Sequence, residues 1–400
     1  MPINYNPLAP AVQDDPYPYY AELRRNTPVA WVEPLQCWAV SRYQDVDYAI
    51  KHPQLFSSAK WLGQSLGDLN PMPEIPWMLE TDPPDHTRLR KLVNKAFTPR
   101  MVSLLEPRIR GIARQLLAPL QQKKDFDFVR ELSGPLPVIV IAEMLGIEPE
   151  HRVDFKRWSD NVVRASNRPT AEAERAEIQQ SNSEMRAYLT DAIERRRREP
   201  REDLLTALVR AEEERQMLTA DEVLAMTLLI LLAGNETTTN LLGNTVLTLL
   251  AHPADLAAVR ADRALVPALI EEVLRYDSPI QVVFRRMTQD VQLSGTTLAE
   301  GSAVFLLLGS ANRDDRKFPD PDHFDLRRNR RDHVAFGYGI HYCLGAELAR
   351  LEAKMTLETL LFECPAFVPA TERPQRVSSV LIRGPQTLPL RFETARPAMA

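Results

Sequence analysis

The stretch AFGYGIHYCLGAELARLEAKM, residues 335–355, contains two glycines two positions apart, a histidine and one of the three cysteines of the chain. Gly337 and Gly339 predict a tight backbone turn, because glycine adopts conformations that other residues avoid. After Cys343 the sequence takes on the mixed charged and apolar pattern of a long helix. Free N–H groups and the positive end of the helix dipole lie at a helix start, and both favour a thiolate over a thiol.

The residues alone leave four roles open for Cys343. A nucleophile would need a histidine base, but His341 is two positions away and side chains at that spacing rarely face each other. A zinc site would need more cysteine or histidine partners than this segment supplies. A thiolate ligand to a haem iron needs one sulfur, with glycines that let the backbone approach the porphyrin. An inert cysteine packed in a glycine turn is the fourth role.

Composition and charge exclude several classes of protein. A net charge of -5 gives no reason to expect nucleic-acid binding, and 44% hydrophobic residues are enough for a large core. The central apolar run LAMTLLILLA is too short to cross a membrane, and the N-terminus lacks the pattern of a secretion signal. Cys37, Cys343 and Cys364 are too few and too scattered for a disulfide framework. We expect a cytoplasmic protein that binds neither membranes nor nucleic acids.

The order of predicted elements indicates one domain, residues 1–400, that is mainly α with a small β portion. Residues 1–60 are predicted to be its β-rich part, with VAWV and CWAV as a hairpin. Residues 85–250 have a helical pattern almost throughout, and residues 219–250 are predicted to form a long buried helix. The irregular residues 57–84 form a loop whose length is typical of a functional segment. No linker or internal repeat divides the chain.

The predicted long helix carries AGNETT, residues 233–238, in its interior. A glycine there costs about 1 kcal/mol, and threonines offer competing hydrogen bonds. Thr237 is placed to donate to the carbonyl of Ala233, four residues back, and to open the helix there. Two interpretations stay open on these residues alone. One is a packing glycine beside a solvated acid, and the other is an acid and a hydroxyl, Glu236 and Thr237, beside a groove that can hold oxygen.

The segment FGYGIHYCLG, residues 336–345, fills every position of the haem-binding signature of the cytochrome P450 family, and the sequence resembles that family. The resemblance implies haem b as cofactor and Cys343 as the axial thiolate ligand of its iron. It also implies that His341 hydrogen-bonds a haem propionate, that Phe336 packs beside the sulfur and that Gly345 lies against the cofactor.

The resemblance extends to the distal helix, where AGNET matches the family pattern Ala/Gly-Gly-x-Asp/Glu-Thr. Activation of oxygen at a haem needs protons as well as electrons. By resemblance, Glu236 and Thr237 are the catalytic residues that relay these protons, and Ala233 lies beside the cofactor.

Two further segments contain candidate ligands of the haem propionates. His86 and Arg90 are spaced i, i+4 after a diproline, a spacing that is equally typical of a solvated helix face. By resemblance they bind the propionates, since two carboxylates need cationic donors and arginine can engage one bidentately. Arg285, three residues before Thr288, is by resemblance another propionate ligand, and strand alternation places Arg286 on the opposite face.

Glu272 and Arg275 receive two conflicting predictions. Their i, i+3 spacing, opposite the apolar stripe of their helix, predicts an exposed pair worth about 0–1 kcal/mol. The family's Glu-x-x-Arg element is instead buried against the loop before the cysteine, and the resemblance implies the same here. Family members usually add an arginine at the position of His323, so the resemblance leaves open whether His323 completes the network.

The resemblance covers nearly the whole chain and implies the triangular single-domain cytochrome P450 fold, with haem between residues 219–250 and the Cys343 loop. It implies a monomeric monooxygenase that inserts one atom of O2 into a lipophilic small molecule, with electrons from a ferredoxin and a ferredoxin reductase. The basic run Arg327–His333 is either a docking site for an acidic ferredoxin or an ordinary solvated loop. A peroxide-driven enzyme and a non-catalytic haem-binding protein are the alternatives, and the pair Glu236 and Thr237 argues against both.

Family analogy also places a set of apolar residues around the substrate. They are Trp61, Trp77, Met78, Leu229, Leu232, Val283 and Leu381. Such a lining suits a lipophilic molecule such as a polyketide, a terpenoid or a fatty-acid-like compound. We expect its hydroxylation or epoxidation, with a secondary metabolite of the polyketide or macrolide type as the expected substrate. Each buried methylene contributes about 0.8 kcal/mol whichever skeleton carries it, so the lining does not identify the skeleton.

Overall fold

The computed structural model of the protein describes residues 5–61, 66–75, 77–94, 97–166, 171–213, 218–328, 331–371 and 374–393. The helices are α1 (Pro10–Asp14), α2 (Tyr17–Asn26), α3 (Tyr43–Lys51), α4 (Asp85–Val93), α5 (Pro99–Ser103), α6 (Glu106–Leu120), α7 (Pro135–Leu145), α8 (Arg152–Ser166), α9 (Glu172–Arg198), α10 (Leu204–Glu213), α11 (Ala220–Ala251), α12 (Pro253–Ala261), α13 (Val266–Tyr276), α14 (Leu308–Ala311) and α15 (Ala346–Glu363). The strands are β1 (Val29–Val32), β2 (Cys37–Val40), β3 (Phe56–Ser57), β4 (Phe126–Asp127), β5 (Val282–Met287), β6 (Val291–Leu293), β7 (Thr296–Leu298), β8 (Ala303–Leu307), β9 (Phe367–Pro369) and β10 (Pro389–Phe392). The predicted class, mainly α with a small β portion, is confirmed.

The main sheet combines strands that lie far apart in the sequence. Its order is β1-β2-β8-β5-β3, with β2 and β8 parallel and the other neighbours antiparallel. The predicted hairpin is confirmed, since β1 and β2 pair from Val29 with Val40 to Val32 with Cys37. Two smaller sheets are formed by β4, β10 and β9 and by β6 and β7.

The N-terminal segment is mixed rather than β-rich, because α1, α2 and α3 lie in it together with β1, β2 and β3. The sheet needs this helical cover. Val32 and Ala39 have no exposed surface, and they pack in one cluster with Tyr20 and Leu23 of α2. Removing such apolar surface from water contributes about 25 cal/mol per Å², which favours a helix on this face.

Helix α11 is the predicted long buried helix, and its observed bounds agree with the prediction to within one residue. Thr219 caps it: its hydroxyl accepts the N–H of Glu222 over 3.2 Å, and the Glu222 carboxylate accepts the N–H of Thr219 over 2.8 Å. The helix is buried around most of its circumference and packs against α7, α8, α13 and α15. Within residues 233–238, Asn235 and Thr238 are buried, Ala233 is exposed, and Gly234, Glu236 and Thr237 are partly exposed. The helix therefore has an uncovered face at this motif.

Helices α13 and α15 pack against α11 and against each other. A short 3-10 turn, Gly339–His341, precedes α15, so Cys343 lies between this turn and the helix. This packing brings the helix that follows Cys343 into contact with α11. Across the described ranges, no helix combines the length and the apolarity that crossing a membrane would require.

Candidate functional site

Cys343 lies in a tight turn just before α15. Gly337 and Gly339 have φ angles of 67° and 65°, in the left-handed region that favours glycine. The N–H of Cys343 closes the turn by donating to the carbonyl of Phe336 over 2.9 Å. A side chain at Gly339 would also place its Cβ 3.3 Å from the carbonyl oxygen of Ile50. The predicted tight turn is confirmed.

Burial changes the expected ionisation of Cys343. Burial raises the pKa of its thiol, while the N–H of Gly345 and the charges of Arg90 and Arg350 oppose this rise without cancelling it. The helix start favours the charged form of this sulfur, as the sequence indicates, while removal from water disfavours it. A bound metal ion would deprotonate a coordinating thiol at this position.

Two histidines, His86 of α4 and His341 of the cysteine turn, lie with their ring centroids 4.2 Å apart. Within the described part of the chain, both ring nitrogens of His86 and Nε2 of His341 are buried without a hydrogen-bond partner. Burial lowers the pKa of His341 to about 3, helped by the positive charges of Arg285, His86 and Arg90. Buried polar atoms without partners are costly, so this pair requires hydrogen-bonding groups from a ligand.

Two arginines extend this group of donors. Arg285 of β5 is 8% exposed and donates to the carbonyl of Phe284 over 2.6 Å. Burial lowers the pKa of Arg285 to about 10. Arg90 donates to the side chain of Asn94 over 2.9 Å, and burial lowers its pKa as well. Arg286 is exposed, as strand alternation predicts.

The acid and the threonine of α11 have different partners. Thr237 Oγ1 donates to the carbonyl of Ala233 over 2.9 Å, as predicted, but α11 stays continuous because one carbonyl can accept two hydrogen bonds. The Glu236 carboxylate lies 3.4 Å from Nζ of Lys156 on α8. Burial raises the pKa of Glu236 to about 7; Lys156 lowers it and Asp160 raises it. Glu236 can therefore gain or lose a proton near neutral pH, as a proton-transfer group requires.

Sequence reasoning missed that helix α8 contacts the polar motif of α11. In addition to Lys156 beside Glu236, Ser159 accepts a hydrogen bond from Asn235 over 2.9 Å. Two consecutive polar residues of the α11 motif are thus held by the same helix. The i, i+4 spacing of Lys156 and Asp160 was visible in the sequence, but nothing local indicates which helix they contact.

Glu272 and Arg275 form a buried ion pair, with 2% and 1% of their side chains exposed. Arg275 engages both carboxylate oxygens, through Nε at 2.9 Å and Nη2 at 2.7 Å. It also donates to the carbonyls of Asn312, Pro321 and His323. The burial expected from the resemblance is confirmed. The surface pair predicted from periodicity is wrong, because the loop that provides these carbonyls covers the polar face of α13.

The third side chain of this network is Arg328 and not His323. His323 is exposed and contributes only its carbonyl. Arg328 is 9% exposed at its side chain, and its Nε lies 3.2 Å from Glu272 Oε1. Sequence reasoning missed Arg328 because it belongs to the basic run Arg327–His333. That run is not a uniform solvated loop: His333 is also buried, while residues 329–330 lie outside the described residues.

The predicted substrate-lining residues are not gathered in one cluster. Trp77, Met78 and Leu229 belong to the largest apolar cluster, and Leu232 packs against it. Val283 and Leu381 pack against two other clusters, which involve the main sheet. Trp61 stacks on Phe284 of β5, with ring centroids 4.4 Å apart.

A cysteine in a tight glycine turn, a buried Glu-x-x-Arg element that holds the loop before it, and a long helix with an acid–threonine pair are the features of a haem-thiolate protein. The sequence profile described as Cytochrome P450 matches residues 159–390. Cytochrome P450 107B1 of Saccharopolyspora erythraea is 43% identical over 399 residues, which cover 95% of this chain and 96% of that protein. The structure of CYP109Q5 from Chondromyces apiculatus has a TM-score of 0.89 and 45% identity, over 99% of this chain and 100% of that one. The structure of HmtN, a post-tailoring hydroxylase of himastatin biosynthesis, has a TM-score of 0.82 and 36% identity, over 95% of this chain and 97% of that one. The chain belongs to the cytochrome P450 family.

Members of this family are haem-dependent monooxygenases, so the chain is an oxidoreductase that binds haem b. The residues present fit this cofactor. The unpartnered nitrogens of His86 and His341, together with buried Arg285, are donors of the kind that two propionates need. A Cβ at Gly345 would meet nothing within 4 Å, so the backbone next to Cys343 leaves room for a flat ring.

Proposed function

We propose that Cys343 is the axial ligand of the haem iron and that His86, Arg90, Arg285 and His341 hold the two propionates. The observation that carries the proposal is the meeting of these four donors from α4, β5 and the cysteine turn, three of whose ring nitrogens have no acceptor among the described residues. Two carboxylates would supply acceptors and would raise the lowered histidine pKa values. Phe336 and Gly345 then lie on the sulfur side of the cofactor.

The bound haem supplies an iron centre that activates O2 with two electrons. The chain supplies the protons. Glu236 holds a proton at its carboxylate, because burial has raised its pKa to about 7. Thr237 Oγ1, on the next residue, donates to the Ala233 carbonyl and keeps its lone pairs for accepting a hydrogen bond. Lys156, with Nζ 3.4 Å from the Glu236 carboxylate, pairs with it and lowers its pKa.

The substrate is a lipophilic small molecule that is hydroxylated or epoxidised, with a secondary metabolite of the polyketide or macrolide type as the expected class. The apolar character of Trp77, Met78, Leu229 and Leu232 supports a lipophilic substrate. The similarity to HmtN, a tailoring hydroxylase, supports a role in secondary metabolism. A screen of such compounds for shifts of the haem absorption band tests the class, and steroids or fatty acids binding more tightly would contradict it.

Electrons come from a ferredoxin and its reductase. Tyr338 and Tyr342 of the cysteine turn are exposed, and Arg331 and Lys354 nearby have 65% and 39% of their side chains exposed. Aromatic and basic groups around the cysteine suit an acidic partner. Arg331→Glu should slow reduction by ferredoxin and flatten its salt dependence. Arg25→Glu on α2, 71% exposed, is the matched control and should change neither.

The protein works as a monomer in the cytoplasm, where its cysteines, all free in the structure, stay reduced. The central test is the absorption spectrum of the reduced protein with carbon monoxide. The red-shifted band of thiolate ligation is expected for the wild type and should be lost in Cys343→Ser. A band typical of histidine ligation in the wild type would contradict the assignment.

Turnover separates the monooxygenase from its alternatives. Product formation with a surrogate ferredoxin, its reductase and NADPH is expected, and Thr237→Ala should divert electrons to hydrogen peroxide. Product formation with peroxide alone, unaffected by Thr237→Ala, would indicate a peroxygenase. No product from any lipophilic candidate with either system would favour a haem-binding protein without activity.

A further inference from the structure

Helix α13 carries a second buried acid directly before Glu272. Glu271 is 2% exposed and lies outside the Glu-x-x-Arg element. Its carboxylate accepts Nε and Nη2 of Arg350 at 2.6 and 3.1 Å, and Nε2 of His333 lies 3.1 Å away. Burial alone would raise the pKa of Glu271, but the hydrogen bonds from His333 and Arg350 lower it to about 2. Glu271 is therefore a permanent negative charge inside the protein.

Of the two groups that donate to Glu271, only Arg350 is necessarily charged. The N–H of Ala335 donates to Nδ1 of His333 over 3.3 Å, so the proton of a neutral imidazole lies on Nε2, which faces Glu271. Arg331 lies 3.9 Å from the carboxylate but has 65% of its side chain in solvent. Glu271 and Arg350 are thus a close pair of opposite charges in this buried place, with His333 as a further hydrogen-bond partner of the carboxylate.

Arg350 connects this pair to the cysteine turn. Its guanidinium carbon lies 4.6 Å from the centre of the Phe336 ring, and Nη1 donates to Tyr342 Oη over 3.3 Å. The carbonyl of Phe336 accepts the N–H of Cys343 over 2.9 Å. The contacts therefore run without a gap from Glu271 through Arg350 and Phe336 to Cys343.

We propose that Glu271 is a positioning residue for the haem thiolate: it fixes Arg350 against Phe336 and balances its charge, and so sets the reduction potential of the iron. The inference rests on Cys343 being the haem ligand. Charges near the sulfur, together with its hydrogen bonds, are the means by which a protein tunes such a centre. The reduced centre carries one more negative charge than the oxidised one. A positive charge near it therefore favours reduction.

The test compares variants by spectroelectrochemical titration of the haem-loaded protein. Glu271→Gln keeps the side-chain volume but leaves Arg350 with only the half-exposed Glu347 as counter-charge, so the ratio of reduced to oxidised protein at fixed potential should rise about threefold or more. Arg350→Met leaves Glu271 unbalanced, so the same ratio should fall. The double variant should return toward the wild type. A tenfold change in this ratio corresponds to 59 mV for a one-electron couple.

Glu347→Gln is the matched control. Glu347 also accepts from Arg350, at 3.0 Å, but 47% of its side chain is exposed, so solvent screens its charge and the ratio should change less than twofold. Glu271→Asp and Arg350→Lys keep the charges and should restore most of the wild-type ratio.

If Glu271→Gln and Arg350→Met shift the ratio of reduced to oxidised protein in the same direction, or if neither shifts it, the inference is overturned. General loosening of the cysteine turn would shift the ratio in the same direction in both variants, whereas a charge effect shifts it in opposite directions. If Glu271→Gln does not retain haem, Arg350→Met is compared with Arg350→Lys instead. The inference then requires that the ratio of reduced to oxidised protein falls in Arg350→Met and stays near the wild-type value in Arg350→Lys. A wild-type protein without the thiolate band of its carbon monoxide complex would instead refute Cys343 as ligand. The two failures are therefore distinguishable.

Discussion

Replacing Glu272 with glutamine tests whether a buried ion pair holds the loop before the cysteine. Glu272 accepts Nε and Nη2 of Arg275 at 2.9 and 2.7 Å, the N–H of Asp325 at 3.0 Å and Nε of Arg328 at 3.2 Å. Glutamine keeps the volume but turns one acceptor into a donor. The substitution also removes the counter-charge of the Arg275 guanidinium, and only 1% of the Arg275 side chain is exposed to solvent. Breaking a buried pair from one side costs about 3–5 kcal/mol.

The expected loss can be converted into a melting temperature. The entropy of unfolding is about 2.1 cal/mol/K per residue, so for a chain of 400 residues this loss corresponds to about 4–6 °C. The assay is calorimetric unfolding of the haem-loaded protein at neutral pH, with all variants scanned at the same rate.

A matched control separates burial from hydrogen-bond geometry. Glu143 binds Arg108 with the same bidentate arrangement, at 2.6 Å to each oxygen, but 49% of the arginine and 24% of the glutamate are exposed. Glu143→Gln should cost about 0–1 kcal/mol, or about 1 °C at most. Equal losses in Glu272→Gln and Glu143→Gln would refute the reasoning, because the Glu272 pair is removed from water and Glu272 also accepts from Asp325 and Arg328, whereas the Glu143 pair is partly exposed.

Three further outcomes are expected. The fraction of consumed NADPH that yields product should fall as pH rises through about 7, because Glu236 loses its proton there. Lys156→Met should move this fall to higher pH, because it removes the charge that lowers the pKa of Glu236. Glu352 is 1% exposed, and burial raises its pKa from 4.5 to about 8, so it stabilises the fold at low pH and loses this contribution as pH rises toward 8. Glu352→Gln should therefore lessen the decrease in urea midpoint between pH 5 and pH 8, and an unchanged decrease would contradict the burial argument. His341→Ala should transfer haem to apomyoglobin at least tenfold faster than wild type, whereas His151→Ala, 37% exposed at the side chain, should behave as wild type.

The features that the sequence predicted well are those encoded locally. The ends of α11 follow from its cap and its apolar length, and the turn before Cys343 follows from two glycines that adopt positive φ angles. The signature residues are equally local, since FGYGIHYCLG is contiguous. Local patterns are sufficient here because backbone conformation and hydrogen bonding within an element depend on near neighbours.

The features that the sequence did not predict depend on contacts between distant segments. Periodicity placed Glu272 on the surface, but Arg328, 56 residues later, comes to lie against it. Glu236 and Lys156 are 80 residues apart, and nothing near either position indicates the other. The helix start that favours a thiolate at Cys343 is a local feature, while the burial that raises the pKa of its thiol is a property of the whole fold.

The adjacent acids of α13 have different partners. Successive residues of a helix point about 100° apart, and Glu272 contacts Arg275 and Arg328 whereas Glu271 contacts His333 and Arg350. Glu272 holds the loop through Arg275, whose Nη1 donates to the carbonyl of Asn312, while the Asn312 side chain accepts the N–H of Val334 over 2.7 Å. Glu271 acts on the other side, through His333 and Arg350. Loss of Glu272 should therefore lower the melting temperature. Loss of Glu271, whose pair with Arg350 is also buried, should lower it too and should in addition shift the potential, because Arg350 lies 4.6 Å from the centre of the Phe336 ring.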